Sequence, residues 1–297
     1  MGETVTRINR LIACGDVVGE SALWCPRSGR LFWVDIVGRR IHALTPATGQ
    51  HQTWATPEIA TSIGLREDGG AVVGLRRHVA YWDYDDHFDL LAVIEPDLPG
   101  NRLNEGKVGP DGAFWVGTMQ NNIGGDGQPI AINQSSGAYY RIWQSGRVEA
   151  LTAREYGICN TMAWTDDDRF LCADTLVNRL YAFDLEDPGI TSRRTFGVPF
   201  DRGLPDGSAL DVEGYLWNCR VGGGCVVRFS PEGTVDRVVE LPCSAPTSCA
   251  FGGEDLRTLH VTSARFGLPE TRRDHPDEGA LFAIDTGVPG RPECLFG

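Results

Sequence analysis

A chain of 297 residues with a formal net charge of −13 presents no basic surface to neutralise phosphates, which argues against nucleic acid as a partner. It contains no apolar run long enough to span a bilayer, and its first residues lack the basic-then-apolar pattern of a signal peptide, so a cytoplasmic location and small-molecule partners are expected. Its nine cysteines include no C-x-x-C pair, which supports neither a zinc ribbon nor a thioredoxin-like motif; most read as small apolar strand residues, and Cys159 is the one to watch for oxidation or metal sensitivity.

The first element, Thr6 to Cys14 (TRINRLIAC), alternates as a strand does yet precedes everything that repeats. After it a single unit recurs six times. Each unit opens with a small polar residue four positions before a large apolar one: Glu20/Trp24, Thr61/Leu65, Asn104/Val108, Asn160/Trp164, Asp206/Leu210 and Thr247/Phe251. A polar turn and a short apolar strand follow, as in SGRLFWVD from Ser28, PDGAFWVGT from Pro110 and VEGYLWNCR from Val212, the signature of a hairpin. The third segments, such as RRIHALTPATGQ from Arg39 and NRLYAFDLEDPG from Asn178, alternate apolar and polar residues and are expected to bury one face only.

Units of three to four strands recurring every roughly 40–50 residues, with no long helical pattern between them, predict an all-β, six-bladed β-propeller. The N-terminal strand is expected to close the ring as the outer strand of the last blade, which removes the open edges a solenoid would leave. No linker interrupts the chain, so residues 1–297 are expected to form one propeller domain. The segment Asn121 to Ser136 (NNIGGDGQPIAINQSS) reads as a long surface loop of the third blade.

The first strand of each propeller blade lines the central channel, so the six opening residues should form a ring at one mouth. Glu20, Asn160 and Asp206 supply two carboxylates and one amide oxygen, hard donors suited to a divalent cation with open positions. Arg102 and Asn104 add a permanent cation and a neutral hydrogen-bonding group on the same rim. Turn chemistry accounts for any one of these residues, Pro205-Asp206-Gly207 being an ordinary turn signal. Like charges converging from different repeats call for a counter-ion, so at this stage both readings stand. Asp35 and Asp174 read as turn-closing carboxylates, His260 as a core residue, and Trp24, Trp33, Trp115, Trp164 and Trp217 as packing between blades. There is no G-x-S-x-G, H-E-x-x-H or Walker pattern.

Gly19-Glu20-Ser21, Arg102-Leu103-Asn104-Glu105-Gly106-Lys107, Gly117-Thr118-Met119, Ile158-Cys159-Asn160, Pro205-Asp206-Gly207, Glu213-Gly214-Tyr215-Leu216-Trp217 and Phe251-Gly252-Gly253 together resemble the SMP-30/gluconolactonase/regucalcin-like family, in the style of bacterial sugar lactonases. The resemblance implies a six-bladed propeller holding one divalent metal through Glu20, Asn160 and Asp206, with Arg102 and Asn104 contacting substrate. Two positions depart from that pattern. Glu105 stands where such proteins usually carry Asp, and Gln120, Asn121 and Asn122 stand where several relatives place an acidic residue.

The expected activity is therefore metal-dependent hydrolysis of an aldonolactone to the free sugar acid, with Asp206 as ligand and proton acceptor. Asn121 and Asn122 are expected to bond neutral sugar hydroxyls. Calcium, magnesium, manganese, zinc and ferrous iron all suit such a donor set. The rival readings are a propeller hydrolase acting on aryl esters or phosphotriesters, and a non-catalytic metal-binding regulatory propeller.

Overall fold

A computed structural model describes residues 7–187 and 189–297. Its strands fall into six four-stranded antiparallel sheets, and the first strands of neighbouring sheets pack side by side around a closed ring. These six inner strands are Gly19–Cys25, Ser62–Leu65, Asn101–Val108, Cys159–Trp164, Leu204–Leu210 and Pro246–Gly252. The chain is a six-bladed β-propeller. Helix is confined, among the described residues, to the turns Thr175–Val177 and Glu270–Arg273, and none is long and apolar enough to cross a membrane.

Five blades are simple meanders, whereas the last combines three strands from the C-terminal part with Ile8–Ile12. That strand pairs antiparallel with Leu281–Asp285, Ile8 opposite Ile284 and Asn9 opposite Ala283. The alternating N-terminal segment thus closes the ring as expected, with Thr6 outside the described residues.

The third strands differ from expectation. Tyr139–Ile142 and Cys225–Phe229 are buried at every residue, and the half-exposed strand is the fourth, as in Gln50–Ala55. The reason is that neighbouring blades cover both faces of the third strand while the fourth shields its edge. Polar residues on those third strands are buried with partners: His42 lies 3.2 Å from Asp16, and Arg141 pairs with Asp111 and Glu149. Arg228 pairs with Asp211, Glu213 and Asp236.

Three of these carboxylates also anchor core tryptophans. Trp33 Nε1 donates to Asp16 at 2.8 Å, Trp115 Nε1 to Asp111 at 3.1 Å and Trp217 Nε1 to Asp211 at 2.9 Å. Each indole is essentially inaccessible, so its N–H needs a partner, and the turn carboxylate supplies one; Asp111 and Asp211 also pair with the third-strand arginines Arg141 and Arg228. Asp35 and Asp174 are structural: Asp35 accepts from the Val18 and Gly38 N–H groups, and Asp174 from those of Gly157, Ile158 and Leu176. His260 is buried against Trp24 with ring centroids 5.7 Å apart, and burial pushes its pKa down to about 4.

Cys159 departs from the reading given above. It is wholly buried, and burial, with Cys172 beside it, holds its thiol far above the ordinary range. It is the least reactive form a thiol takes, not a sensor.

Deleting residues 1–12 would leave Leu281–Asp285 as an open edge. The expected result is a fall in Tm of roughly 5–10 °C with concentration-dependent association in size-exclusion chromatography; a monomer of unchanged Tm would show that the closing strand contributes little.

Candidate functional site at one mouth of the channel

The inner strands do not run evenly. Five of them shift register where they reach the channel mouth, between Glu20 and Leu23, Leu103 and Gly106, Asn160 and Met162, Pro205 and Ser208, and Pro246 and Cys249. A bulge rotates the strand and re-aims one side chain. Ser21 and Thr161, directly after Glu20 and Asn160, sit in the left-handed region at φ 52°, a costly conformation for non-glycine residues and above all for a β-branched one. Gly207 follows Asp206, and a Cβ there would meet the Ser248 Cα at 2.8 Å, so the strands approach this closely only with glycine.

The bulges bring Glu20, Arg102, Asn104, Asn160 and Asp206 to one buried region. Arg102 Nη1 donates to Asn104 Oδ1 at 2.8 Å, and Asn104 Nδ2 donates to Asn160 Oδ1 at 3.2 Å and to the Cys159 carbonyl at 3.0 Å. Arg102 also donates to Asn122 Oδ1 through Nε at 3.3 Å and Nη2 at 2.9 Å, and to the Leu103 carbonyl at 2.8 Å. Four of its five N–H groups are therefore committed. Both N–H groups of Asn104 are used in the same way, which makes it a brace between the cation and Asn160. Asn121 lies one residue earlier than Asn122, and its Nδ2 donates to the Ile123 carbonyl at 2.8 Å.

Asn160 Nδ2 donates to Thr175 Oγ1 at 2.9 Å, and Thr175 in turn donates to the Pro205 carbonyl at 2.7 Å. With its NH2 held there, Asn160 turns its oxygen to the side of Asn104, and the same Thr175 hydroxyl links it to the residue preceding Asp206. The Asp206 carbonyl is held by Thr161 Oγ1 and by Asn218 Nδ2 at 3.1 Å. Thr175 and Asn218 carry no motif, and only their places at the end and in the middle of second strands could have singled them out.

The carboxylates are short of partners. Glu20 accepts from the Ser21 N–H at 3.1 Å, while buried Asp206 Oδ1 and both carboxylate oxygens of Glu105 have no hydrogen-bond partner among the described residues. Burial, Asp206 and Glu105 raise the Glu20 pKa well above the carboxylate range; burial and Glu105 do the same to Asp206, against the pull of Arg102. Glu105 is pushed up to about 7 by burial and Glu293, against Lys107. Arg102 is drawn down to about 10 by burial, an effect that Glu20 and Asp206 offset in part. Lys107 donates to the Ser208 carbonyl at 2.7 Å, and Glu293 and Glu105 outweigh the effect of burial to raise its pKa.

An orphaned buried carboxylate oxygen, a second carboxylate that repels it and an amide oxygen aimed the same way form a donor set that fits a hard divalent cation. Among the described residues no three His, Cys, Asp or Glu side chains gather as a metal site; this set differs in having an amide as its third donor.

A model of the SMP-30/gluconolactonase/LRE-like region matches residues 18–265. The chain is 36% identical over 286 residues to a 6-deoxy-6-sulfogluconolactonase of Pseudomonas putida, covering 94% of this chain and 95% of that protein. It is 32% identical to an L-arabinolactonase of Azospirillum brasilense, covering 95% and 92%. Among solved structures, a calcium-binding protein, regucalcin, from Agrobacterium tumefaciens superposes with a TM-score of 0.90 at 30% identity over 98% of both chains.

Two outcomes follow from this geometry. Thr175→Val removes the hydroxyl that orients Asn160 while keeping its shape, and is expected to weaken divalent-ion affinity roughly tenfold or more by isothermal titration calorimetry; undiminished affinity would show that the hydroxyl does not set the amide. The second concerns pH. Raised folded-state pKa values mean that the metal-free protein holds more protons than its unfolded chain, so these groups cost stability progressively as pH rises from the ordinary carboxylate range through about 7, where Glu105 titrates. A divalent ion binds the deprotonated cluster. The difference in Tm between ion-loaded and chelated protein is therefore expected to widen from about pH 5 to about pH 8, and a constant or narrowing difference would contradict the assignment.

Proposed function

The chain belongs to the SMP-30/gluconolactonase/LRE-like family, and from that premise we propose that it hydrolyses a sugar lactone to the free sugar acid with the help of one divalent cation. The observation that carries the reading is the buried, unpartnered Asp206 Oδ1 beside Glu20 and Asn160. Membership of a family that includes sugar lactonases supports the reaction class. The family's calcium-binding regucalcin is a reason to include calcium among the candidate ions.

In the proposed site Glu20, Asn160 and Asp206 hold the ion, which when bound supplies Lewis acidity to the lactone carbonyl and lowers the pKa of water. Asp206, on the carboxylate oxygen that does not hold the ion, would accept the proton that the attacking water loses as its oxygen bonds to the carbonyl carbon. The ester bond to the ring oxygen then breaks, and the proton passes to that oxygen, leaving a hydroxy acid. Arg102 keeps one uncommitted N–H for a ring hydroxyl or the developing oxyanion, and the braces from Asn104 and Asn122 keep it aimed. Asn121 Oδ1 and Asn122 Nδ2, the amide atoms not used within the loop or by Arg102, would serve substrate hydroxyls. A polar loop of amides favours polyhydroxylated lactones over the aryl esters and phosphotriesters of the rival reading, because a site that bonds hydroxyls is left with unpaired groups when they are missing.

Exhaustive chelation is expected to abolish turnover of a sugar-lactone panel and to leave the far-UV circular dichroism unchanged, since blade packing is apolar. Full activity in demonstrably metal-free protein would overturn the proposal. Asp206→Ala and Asn160→Ala should weaken ion binding and lower kcat, whereas Arg102→Ala should retain the ion and lower kcat/KM on polyhydroxylated lactones. Loss of the ion from Arg102→Ala would mean that the ligand and substrate residues are wrongly divided.

A further inference from the structure

Beside the candidate site lies a cavity of about 590 Å³ bounded by the first two blades and the covering loop of the third. Arg39 enters it from the turn between Arg30–Asp35 and Arg40–Thr45, and Arg76 from the segment after Ala71–Gly74. Neither guanidinium makes a hydrogen bond or ion pair among the described residues, whereas Arg66, Arg141, Arg154, Arg202, Arg228 and Arg291 are all paired with carboxylates. A chain with this excess of acid leaves two arginines unpaired in one hollow. The carboxylates that line the same cavity have other partners: Glu58 is bonded to His78 Nδ1, and Asp126 Oδ1 accepts from the Gln128 N–H at 3.0 Å.

The cavity adjoins the proposed reaction centre through two connections. The Arg76 carbonyl accepts from the Leu103 N–H at 2.7 Å, which places it next to the chain segment carrying Arg102 and Asn104. On the other side Asn121 lines the cavity, and its neighbour Asn122 holds the Arg102 guanidinium. The loop is seated above by Ile123, packed on the apolar core of the first two blades. A Cβ at Gly127 would stand 3.4 Å from Val37, so the loop closes directly against the first blade.

We propose that Arg39 and Arg76 form a subsite for an anionic group at the far end of the substrate, so that the preferred substrates are sugar lactones bearing a terminal sulfonate, phosphate or carboxylate. Guanidinium groups present planar forks of donors that match the oxygens of these anions. This rests on the lactonase reading above and deepens it: the Asn121–Asn122 amides serve the neutral hydroxyls, and the two arginines serve the charged terminus. Asp126 and Glu58 also line the cavity, but each is bonded to another group of the chain, so the two arginines are the groups left open to an anion.

The test compares kcat/KM for glucono-lactone with that for its 6-phosphate and its 6-deoxy-6-sulfonate, and for glucarolactone, on the metal-loaded enzyme. The anionic lactones are expected to exceed the neutral one roughly tenfold or more at low ionic strength, from one or two charge-assisted hydrogen bonds. The advantage should shrink as salt is raised, because the arginines are exposed. In R39Q/R76Q the ratio of anionic to neutral kcat/KM should fall toward one, with R39K/R76K intermediate. A parallel measurement guards against misfolding: 6-phosphogluconate should inhibit neutral-lactone turnover more strongly than gluconate in the wild type, and equally in the glutamine variant. Turnover of the neutral lactone with no anionic preference, or a preference that survives R39Q/R76Q, overturns the subsite and leaves the lactonase reading standing. Failure to hydrolyse any lactone of the panel overturns both.

Discussion

The rest of the structure answers to a concentration of negative charge that the fold buries at its own axis. Burial raises the pKa values of Glu20, Glu105 and Asp206 there, with Asp206 and Glu105 adding to the shift of Glu20 and Glu105 to that of Asp206, and Arg102 and Lys107 are the cations set against them. Two like charges about 4 Å apart at an effective dielectric constant near 20 repel by about 4 kcal/mol, a large part of the roughly 5–15 kcal/mol by which a domain is stable. Such a cluster survives only where it is protonated or neutralised and where unrelated packing carries the fold. The blades provide that packing through apolar clusters shared between neighbouring sheets.

How the charges come together is a matter of backbone. A regular inner strand would alternate its side chains between the two neighbouring blades, and none would converge on the mouth. The register shifts at Glu20, Asn160 and Pro205 break that alternation where the candidate donors lie, and the positive φ of Ser21 and Thr161 is the local cost. The hydroxyls of Thr161 and Thr175 then tie the blade of Asn160 to the strand that carries Asp206. Blade-to-blade hydrogen bonding and site geometry are thus the same set of contacts.

Much of this was legible in the sequence, and what was not has identifiable causes. Six recurrences of a polar residue before an apolar one located the inner strands, because a channel-lining position must tolerate polarity while the next turn inward must not. The unmatched alternating segment around Ile8–Ile12 pointed to ring closure. The third strands were misjudged because alternation says which residues are polar, not whether a carboxylate waits for them: His42, Arg141 and Arg228 are buried by virtue of Asp16, Asp111 and Asp211, which lie far away in the chain or in another turn. The bulges left no trace, since Ser21 and Thr161 are not residues that announce a left-handed backbone. Thr175, and the partnerless state of Arg39 and Arg76, depend on which blades meet, and only three-dimensional structure reports that.

In the proposed site Glu20, Asn160 and Asp206 share one divalent cation at the mouth of the channel. The most direct test of that sharing is an anomalous-difference map from crystals soaked in manganese, with data collected to either side of the metal's absorption edge. One strong peak is expected on the axis within about 2.0–2.6 Å of a carboxylate oxygen of Glu20, Asn160 Oδ1 and Asp206 Oδ1. A channel mouth without a peak, or a peak held by other side chains while Glu20 and Asp206 remain without a shared ion, would contradict the proposed site.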